Sequence, residues 1–288
     1  MKYRLKLLVL MLLCALPCFA QDTLIVASVD SLPSPNHASI WDDLKYDGAT
    51  IYKSVLHTYA APAKWGKEDW ATAGCLTAST AMLWLGDEEI GEYFLDQGKQ
   101  APGFLKEGAF YFGKPLYNYG ITTGIYAFGL LSRNQKVRKT GVLLISSATA
   151  GGLIQTFLKN AVGRARPGTG KGSASFKPFS PEPGMHSFPS GHTILSFTTA
   201  YAISKQFQNP WVKTGIWALG MITPVSRMWD GAHWASDIGV GVIISVLTVE
   251  SIDKYMNRER HYDRYLAKKK ISWNLNFTKN TVGMVGTF

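Results

Sequence analysis

The sequence predicts an all-α protein, a helical bundle with about six apolar core helices, and three observations predict it. From Trp70 onward, uncharged apolar segments alternate with short polar joints. The segments are rich in Leu, Ile, Ala, Gly and Thr and are too long for most strands. Only the last stretch, "ISWNLNFTKNTVGMVGTF", changes period: Ile271, Trp273, Leu275 and Phe277 alternate, as do Val282 and Met284. That stretch predicts a short β-hairpin or extended tail around Lys279-Asn280.

Taken in order, residues 1–20 read as a secretory signal peptide. Lys2, Arg4 and Lys6 precede an apolar run from Leu7, and Cys18-Phe19-Ala20 offers a cleavage site. Its removal takes three positive charges from a net charge of +10, leaving about +7. Cys75 is then the single cysteine, so no disulfide forms within the chain and packing alone must hold an exported fold together. Residues 21–69 form a mixed, polar N-terminal extension with a helix expected from Ile40 to Tyr59, ended near Pro62. The core domain is expected over 70–252. Its helices lie at 70–86, 116–132, 140–158, 193–204, 214–226 and 238–249, and a basic segment and tail occupy 253–288. There is no internal repeat.

The last three apolar segments hold only 12 or 13 uncharged residues between charged or titratable neighbours: His192 to Lys205, Lys213 to Arg227 and Asp237 to Glu250. At 1.5 Å per residue that is roughly 20 Å, against about 30 Å of hydrocarbon. With a mean hydropathy of −0.01, this predicts buried core helices and a soluble or surface-bound periplasmic form. A five-span membrane form is the alternative. It satisfies the positive-inside tendency only if 70–86 does not cross, which puts the basic joint 132–139 and the basic tail on the cytoplasmic side.

The run 167–189 holds five prolines and four glycines and is expected to be a functional lid or disordered. Its "GTGKGS" fails the Walker spacing, since Ala165 stands where glycine is needed and Gly172 where Ser or Thr is needed. Three flanking stretches carry chemistry. "KNAVGRARP" spaces Lys159 and Arg166 two helical turns apart, which predicts both cations on one face of a helix that Pro167 stops. "FPSGHT" places Ser190, Gly191 and His192 at the mouth of an apolar helix, where unpaired N–H groups and a partial positive charge favour an anion. "SRMWDGAHWASD" supplies Ser226, Arg227, His233 and Asp237, with imidazole and carboxylate at i and i+4. Each alone has an ordinary reading as a helix end, an N-cap or a structural hydrogen bond. Together, three cations, two histidines and a carboxylate at helix ends are what phosphoryl transfer needs: neutralisation of oxygens, a nucleophile and an acid.

The ordered pattern Lys-x6-Arg-Pro, Pro-Ser-Gly-His and Ser-Arg-x5-His-x3-Asp resembles the signature of the type 2 phosphatidic acid phosphatase (PAP2) superfamily, which includes class A bacterial acid phosphatases and vanadium haloperoxidases. Lys159, Arg166, Pro167, Pro189, Ser190, Gly191, His192, Ser226, Arg227, His233 and Asp237 match it. The resemblance implies His233 as nucleophile through a phosphohistidine, Asp237 fixing its tautomer, and His192 as general acid and then base. It further implies Lys159, Arg166 and Arg227 around the phosphoryl oxygens, completed by the Ser190 hydroxyl and the Gly191 N–H. No metal or cofactor is expected, because the adjacent arginines would repel an ion from His192, His233 and Asp237.

The expected function is a metal-independent phosphatase acting on phosphate monoesters, soluble or lipid-linked, outside the cytoplasm. The alternative is a membrane-integral phosphatase of lipid phosphates or diphosphates, of lipid A, undecaprenyl diphosphate or phosphatidate type. A vanadate-dependent haloperoxidase and a non-catalytic envelope protein are the lesser readings. The partner is a phosphate ester, with membrane contact if that ester is a lipid, and no nucleic acid.

Overall fold

The computed structural model describes residues 39–258 and the backbone of 272–278 and 281–287. The signal peptide expected at 1–20, most of the 21–69 extension ahead of its helix, and the basic segment 259–271 lie outside the described residues.

The helices are α1 (Ile40–Ala60), α2 (Lys67–Leu85), α3 (Asp87–Gln100), α4 (Gly103–Phe112), α5 (Pro115–Leu131), α6 (Gln135–Val162), α7 (Gly191–Ser204), α8 (Pro210–Gly220), α9 (Ile222–Trp229) and α10 (Ala235–Arg258). Helix α1 starts on a capping box, in which Ser39 and Asp42 each bond the other's backbone N–H, and it passes at Ala61–Lys64 into a 3₁₀ turn containing Pro62. Helix α8 starts on an Asn209 cap with Pro210 at its first position, where a missing N–H costs nothing. Two elements were not expected, α3 and α4, and the segment expected at 214–226 is divided at Met221 into α8 and α9. In the tail, Ser272–Thr278 and Thr281–Thr287 pair as an antiparallel two-stranded ladder, β1 and β2, with Thr278 opposite Thr281.

The core sits where α6, α7 and α10 meet. Val142, Leu143, Leu144 and Ala150 pack with Phe197, Tyr201 and Ala202 and with Val246, Val249, Ile252 and Met256, and α1 adds Val55. A smaller cluster of Ile90, Met228 and Ile238 seats α3 and α9 on α10. Each fully buried Leu, Ile, Val or Met contributes about 1.5–3 kcal/mol by leaving water.

Of the three segments expected to be short, only 238–249 lies in a longer helix, whereas α7, α8 and α9 have 14, 11 and 8 residues. Helix α6 has 28 residues and α10 has 24, which is about 42 and 36 Å of rise. Glu250, which bounds the last apolar segment, lies inside α10 and is partnered inward: Tyr201 and Lys205 bind it at 2.8 and 2.9 Å. At the far end of α6, Arg138 is 1% exposed and meets Asp43 at 2.7 Å and Asp47 at 3.2 Å, so α1 is tied down by a buried ion cluster.

Candidate active site

The three motifs converge on one end of the bundle. Lys159 ends α6, His192 opens α7, Arg227 ends α9, and His233 and Asp237 bracket the start of α10. His192 lies within electrostatic reach of Arg227, His233, Lys159 and Arg166, and His233 within reach of Asp237, Lys159 and Arg166.

Helix α6 does not run to Pro167, and this corrects the expectation that Lys159 and Arg166 share a helix face. It stops at Val162 because Gly163 adopts the left-handed conformation at φ 60°, and a Cβ there would collide with the Lys177 carbonyl. Beyond it the chain is extended. Arg164 pairs with Phe176 in an isolated bridge, Ala165 N–H donates to Ser175 O at 2.9 Å, and Arg166 N–H donates to Gly184 O at 2.8 Å. Extended backbone sends alternate side chains to opposite sides. Arg166 therefore faces the imidazoles, while Arg164 turns into the interior.

The proline- and glycine-rich run 167–189 is an ordered platform, tied by backbone bonds from Gly168 N–H to Gly231 O, Lys177 N–H to Gly163 O and Ser187 N–H to Arg164 O. Glu88 accepts the Ser173 N–H at 2.6 Å and pins it to α3. At its end Ser190 caps α7, accepting the hydroxyl of Thr193 at 2.9 Å, with Gly191 and His192 as the first two helical residues. Gly191 packs against Gln155 of α6, and its N–H belongs to the first turn, which has no intrahelical acceptors.

His233 stands in the turn before α10 and not on the helix with Asp237. Its Nδ1 lies 2.6 Å from the Ser187 carbonyl and 3.9 Å from the Asp237 carboxylate. A carbonyl can only accept, so Nδ1 carries the proton and Nε2 presents a lone pair. The tautomer is thus fixed by Ser187, a residue beside the recognised motif. Asp237 acts one bond further back: it accepts the Ser187 hydroxyl and the Trp234 N–H at 2.5 and 2.9 Å.

Burial sets the electrostatics. It lowers the pKa of the enclosed His233 despite the opposing Asp237 charge, so the ring is neutral at neutral pH. Burial, and then the positive charge of Arg227, bring His192 down to about 3. Burial also lowers Arg166 and Arg227, which remain cations. Buried Nε atoms of Arg166 and Arg227 and Nε2 of His192 have no hydrogen-bond partner among the described residues. Buried polar groups are rarely left so. The two guanidinium N–H groups, and Nε2 of His192 when it carries a proton, are donors of the kind a tetrahedral oxyanion accepts from.

Phe110 and Lys114 belong to the site without having been singled out. The Phe110 ring stacks on His192 at 5.3 Å and carries the Arg227 guanidinium at 5.0 Å and Lys114 Nζ at 4.4 Å. A cavity of about 330 Å³ lined by Lys106, Glu107, Phe110, Arg227 and Asp230 opens beside it. Asp230 holds Arg227 Nη1 at 2.7 Å, leaving its Nε for the site.

Residues 140–260 match the PAP2 superfamily. Among curated proteins, a lipid A 1-phosphatase of Rhizobium etli is 37% identical over 107 residues, 35% of this chain and 44% of that protein. A lipid A 1-phosphatase of Porphyromonas gingivalis is 29% identical over 129 residues, 43% and 25% of the two chains. The bacitracin transport permease protein BcrC of Bacillus licheniformis is 31% identical over 86 residues, 26% and 40%. The chain spans less than half the length of these curated relatives. The crystal structure of Aquifex aeolicus LpxE, 21% identical, aligns with 57% of this chain and 94% of that one at a TM-score of 0.40. The matched region, residues 140–260, is the part of the chain that belongs with the PAP2 superfamily, and it holds every residue from Lys159 to Asp237 on which the site is built.

Proposed function

We propose that the protein is a membrane-bound phosphatase that removes a phosphate monoester from a lipid headgroup through a phosphohistidine. The observation that carries this reading is the set of buried, unpartnered donors, Arg166 Nε, Arg227 Nε and His192 Nε2, brought from three separate motifs to one end of the bundle. His233 Nε2 attacks phosphorus in line. The Ser187 carbonyl keeps Nδ1 protonated during attack, and Asp237 stabilises the cationic ring through its field. Lys159, Arg166 and Arg227, with the Ser190 hydroxyl and the Gly191 N–H, neutralise the equatorial oxygens, each donor worth about 2.7–4 kcal/mol by analogy with oxyanion-hole donors. The negative charge of the bound phosphate raises the proton affinity of His192, so the ring takes a proton from solvent as substrate binds, hands it to the leaving oxygen, and afterwards takes one from the water that attacks the phosphohistidine.

The lipid form is favoured over the soluble phosphatase. The named relatives include lipid A 1-phosphatases, and α6 and α10 are long and apolar enough to cross a bilayer, although about half buried in the bundle. Large apolar side chains also face outward on several helices: Leu85 on α2, Leu116 and Leu131 on α5, Phe157 on α6 and Trp211 on α8 are each at least 70% exposed. So much uncovered apolar surface suits acyl chains better than water. Arg133, Lys136 and Lys139 gather at the end of α6 away from Lys159, a distribution that by the positive-inside tendency supports a site on the non-cytoplasmic side.

The test is turnover of purified protein in detergent or vesicles on a panel of lipid and soluble phosphate monoesters, lipid A 1-phosphate included. Turnover of a lipid phosphate that His233→Ala abolishes and chelators leave intact is expected. Activity confined to water-soluble esters, or retained by His233→Ala, would overturn the reading.

A further inference from the structure

Arg164 is not used by this mechanism, yet it is the most completely bonded side chain near the site. It is 2% exposed. Nη1 donates to Asp237 Oδ1 at 2.6 Å and to the Ser236 hydroxyl at 2.7 Å, Nη2 to Asp87 Oδ2 at 2.7 Å, and Nε to the Ser173 carbonyl at 2.9 Å. Asp87, fully buried, opens α3 and comes from outside the matched region. It also accepts the Ser236 N–H at 2.9 Å and the Ser236 hydroxyl. The interior behind His233 thus holds one guanidinium between two carboxylates.

We infer that Asp87 and Arg164 are positioning residues for the nucleophile: Arg164 fixes the Asp237 carboxylate, and Asp87 takes up enough of the Arg164 charge to leave a net negative charge behind His233. This rests on the phosphohistidine reading above. Without Asp87, Arg164 and Asp237 would form a neutral pair, and the ring would lose its counter-charge as it becomes cationic on phosphorylation. A buried ion pair is weak support for stability in itself, because desolvation offsets the attraction. The arrangement is better explained by the charge it delivers. The groups facing His233 are Asp237 from α10, Lys159 from α6, Arg166 from the extended segment and His192 from α7; the remaining charge behind them is Arg164 with Asp87.

The formal charges of Asp87, Arg164 and Asp237 sum to −1 in the natural protein, 0 in Asp87→Asn and −1 again in Asp87→Asn/Arg164→Gln. Three measurements on the full chain test the inference: kcat, the acid limb of the kcat/KM profile, and inhibition by vanadate, which reports the phosphate cradle. Asp87→Asn is expected to lower kcat about tenfold and move the acid limb down by about one pH unit, since one unit corresponds to a tenfold differential. Its vanadate inhibition is expected to stay unchanged. The double variant is expected to return the limb toward its natural position. An unshifted limb in Asp87→Asn, or a double variant displaced further than the single one, would reduce Asp87 and Arg164 to structural residues. Should Asp87→Asn fail to fold, Asp87→Glu retains the charge and is expected to hold the limb in place; a shift there overturns the inference. Retained turnover in His233→Ala would remove the phosphohistidine reading itself, whereas inactive His233→Ala beside an unaltered Asp87→Asn would remove this inference alone.

Discussion

Gly113 gives a sharp test of the acid role of His192. It caps α4 with φ −83° and ψ −6°, so an alanine fits its backbone without strain. A Cβ there would stand 2.6 Å from His192 Cδ2, 2.9 Å from His192 Cβ and 2.8 Å from Thr223 Cγ2. Ordinary contact begins at 3.4 Å, so the imidazole must give way by 3.4 − 2.6, or 0.8 Å. A misplacement of about 1 Å can cost about a hundredfold in rate, and a displacement slightly smaller than that should cost between about 10- and 100-fold. Overpacking should also destabilise the fold by about 1–3 kcal/mol. The assay is kcat/KM of Gly113→Ala on an alkyl phosphate and on an aryl phosphate with a strongly acidic leaving group. In the proposed mechanism this parameter reports the steps through phosphorylation of His233, where only the alkyl leaving group needs a proton. The alkyl ester should lose most of its turnover and the aryl ester little. Gly108→Ala, on the same helix with nothing within 4 Å, should leave both unchanged. Equal losses on the two esters, or none, would refute His192 as the general acid.

Ser187→Ala keeps the carbonyl that fixes the His233 tautomer and removes the hydroxyl that binds Asp237; a loss of about 1–3 kcal/mol in a denaturation experiment is expected, together with a fall in kcat. Gly163→Ala should fail to accumulate as folded protein, because its Cβ would lie 1.8 Å from the Lys177 carbonyl at φ 60°. Gly170→Ala, at φ 67° but with open space around it, should cost only about 1–2 kcal/mol, and comparing thermal melts separates collision from strain. His192 and His233 have pKa values lowered by folding, so the unfolded chain binds more protons once the pH drops below about 6.5. Stability should therefore fall on acidification from that point, toward about pH 3 for His192, and His192→Gln should flatten part of the slope in melts recorded across this range.

The motifs were legible because each is local: Lys159, Ser190 to His192, and Arg227 to Asp237 announce themselves by residue type and spacing. How they meet was less so. A helix was extended through Gly163 because glycine at that position reads equally as an interior residue, and only the left-handed turn shows that Arg164 and Arg166 part company. The charges bounding the last apolar segment hide the length of α10, since Glu250 and Asp237 lie within that helix and are satisfied inside the bundle. Helices α3 and α4 carry enough charge and glycine to hide their periodicity. Asp87 has no signal in the chain beyond following Gly86, and its significance exists only through Arg164 and Ser236. Phe110 resembles any core aromatic until its ring is found against His192.

The first two residues of α3 bind the catalytic end at two points, Asp87 through Arg164 and Glu88 through Ser173. A fragment limited to the region that matches the PAP2 superfamily, residues 140–260, would lack both. Such a fragment would retain every signature residue while leaving a guanidinium half-compensated in the interior and the proline-rich platform unanchored. A fragment that keeps this support must accordingly begin upstream of α3, and under the proposed mechanism Asp87 belongs to the site's machinery although it lies outside the matched region.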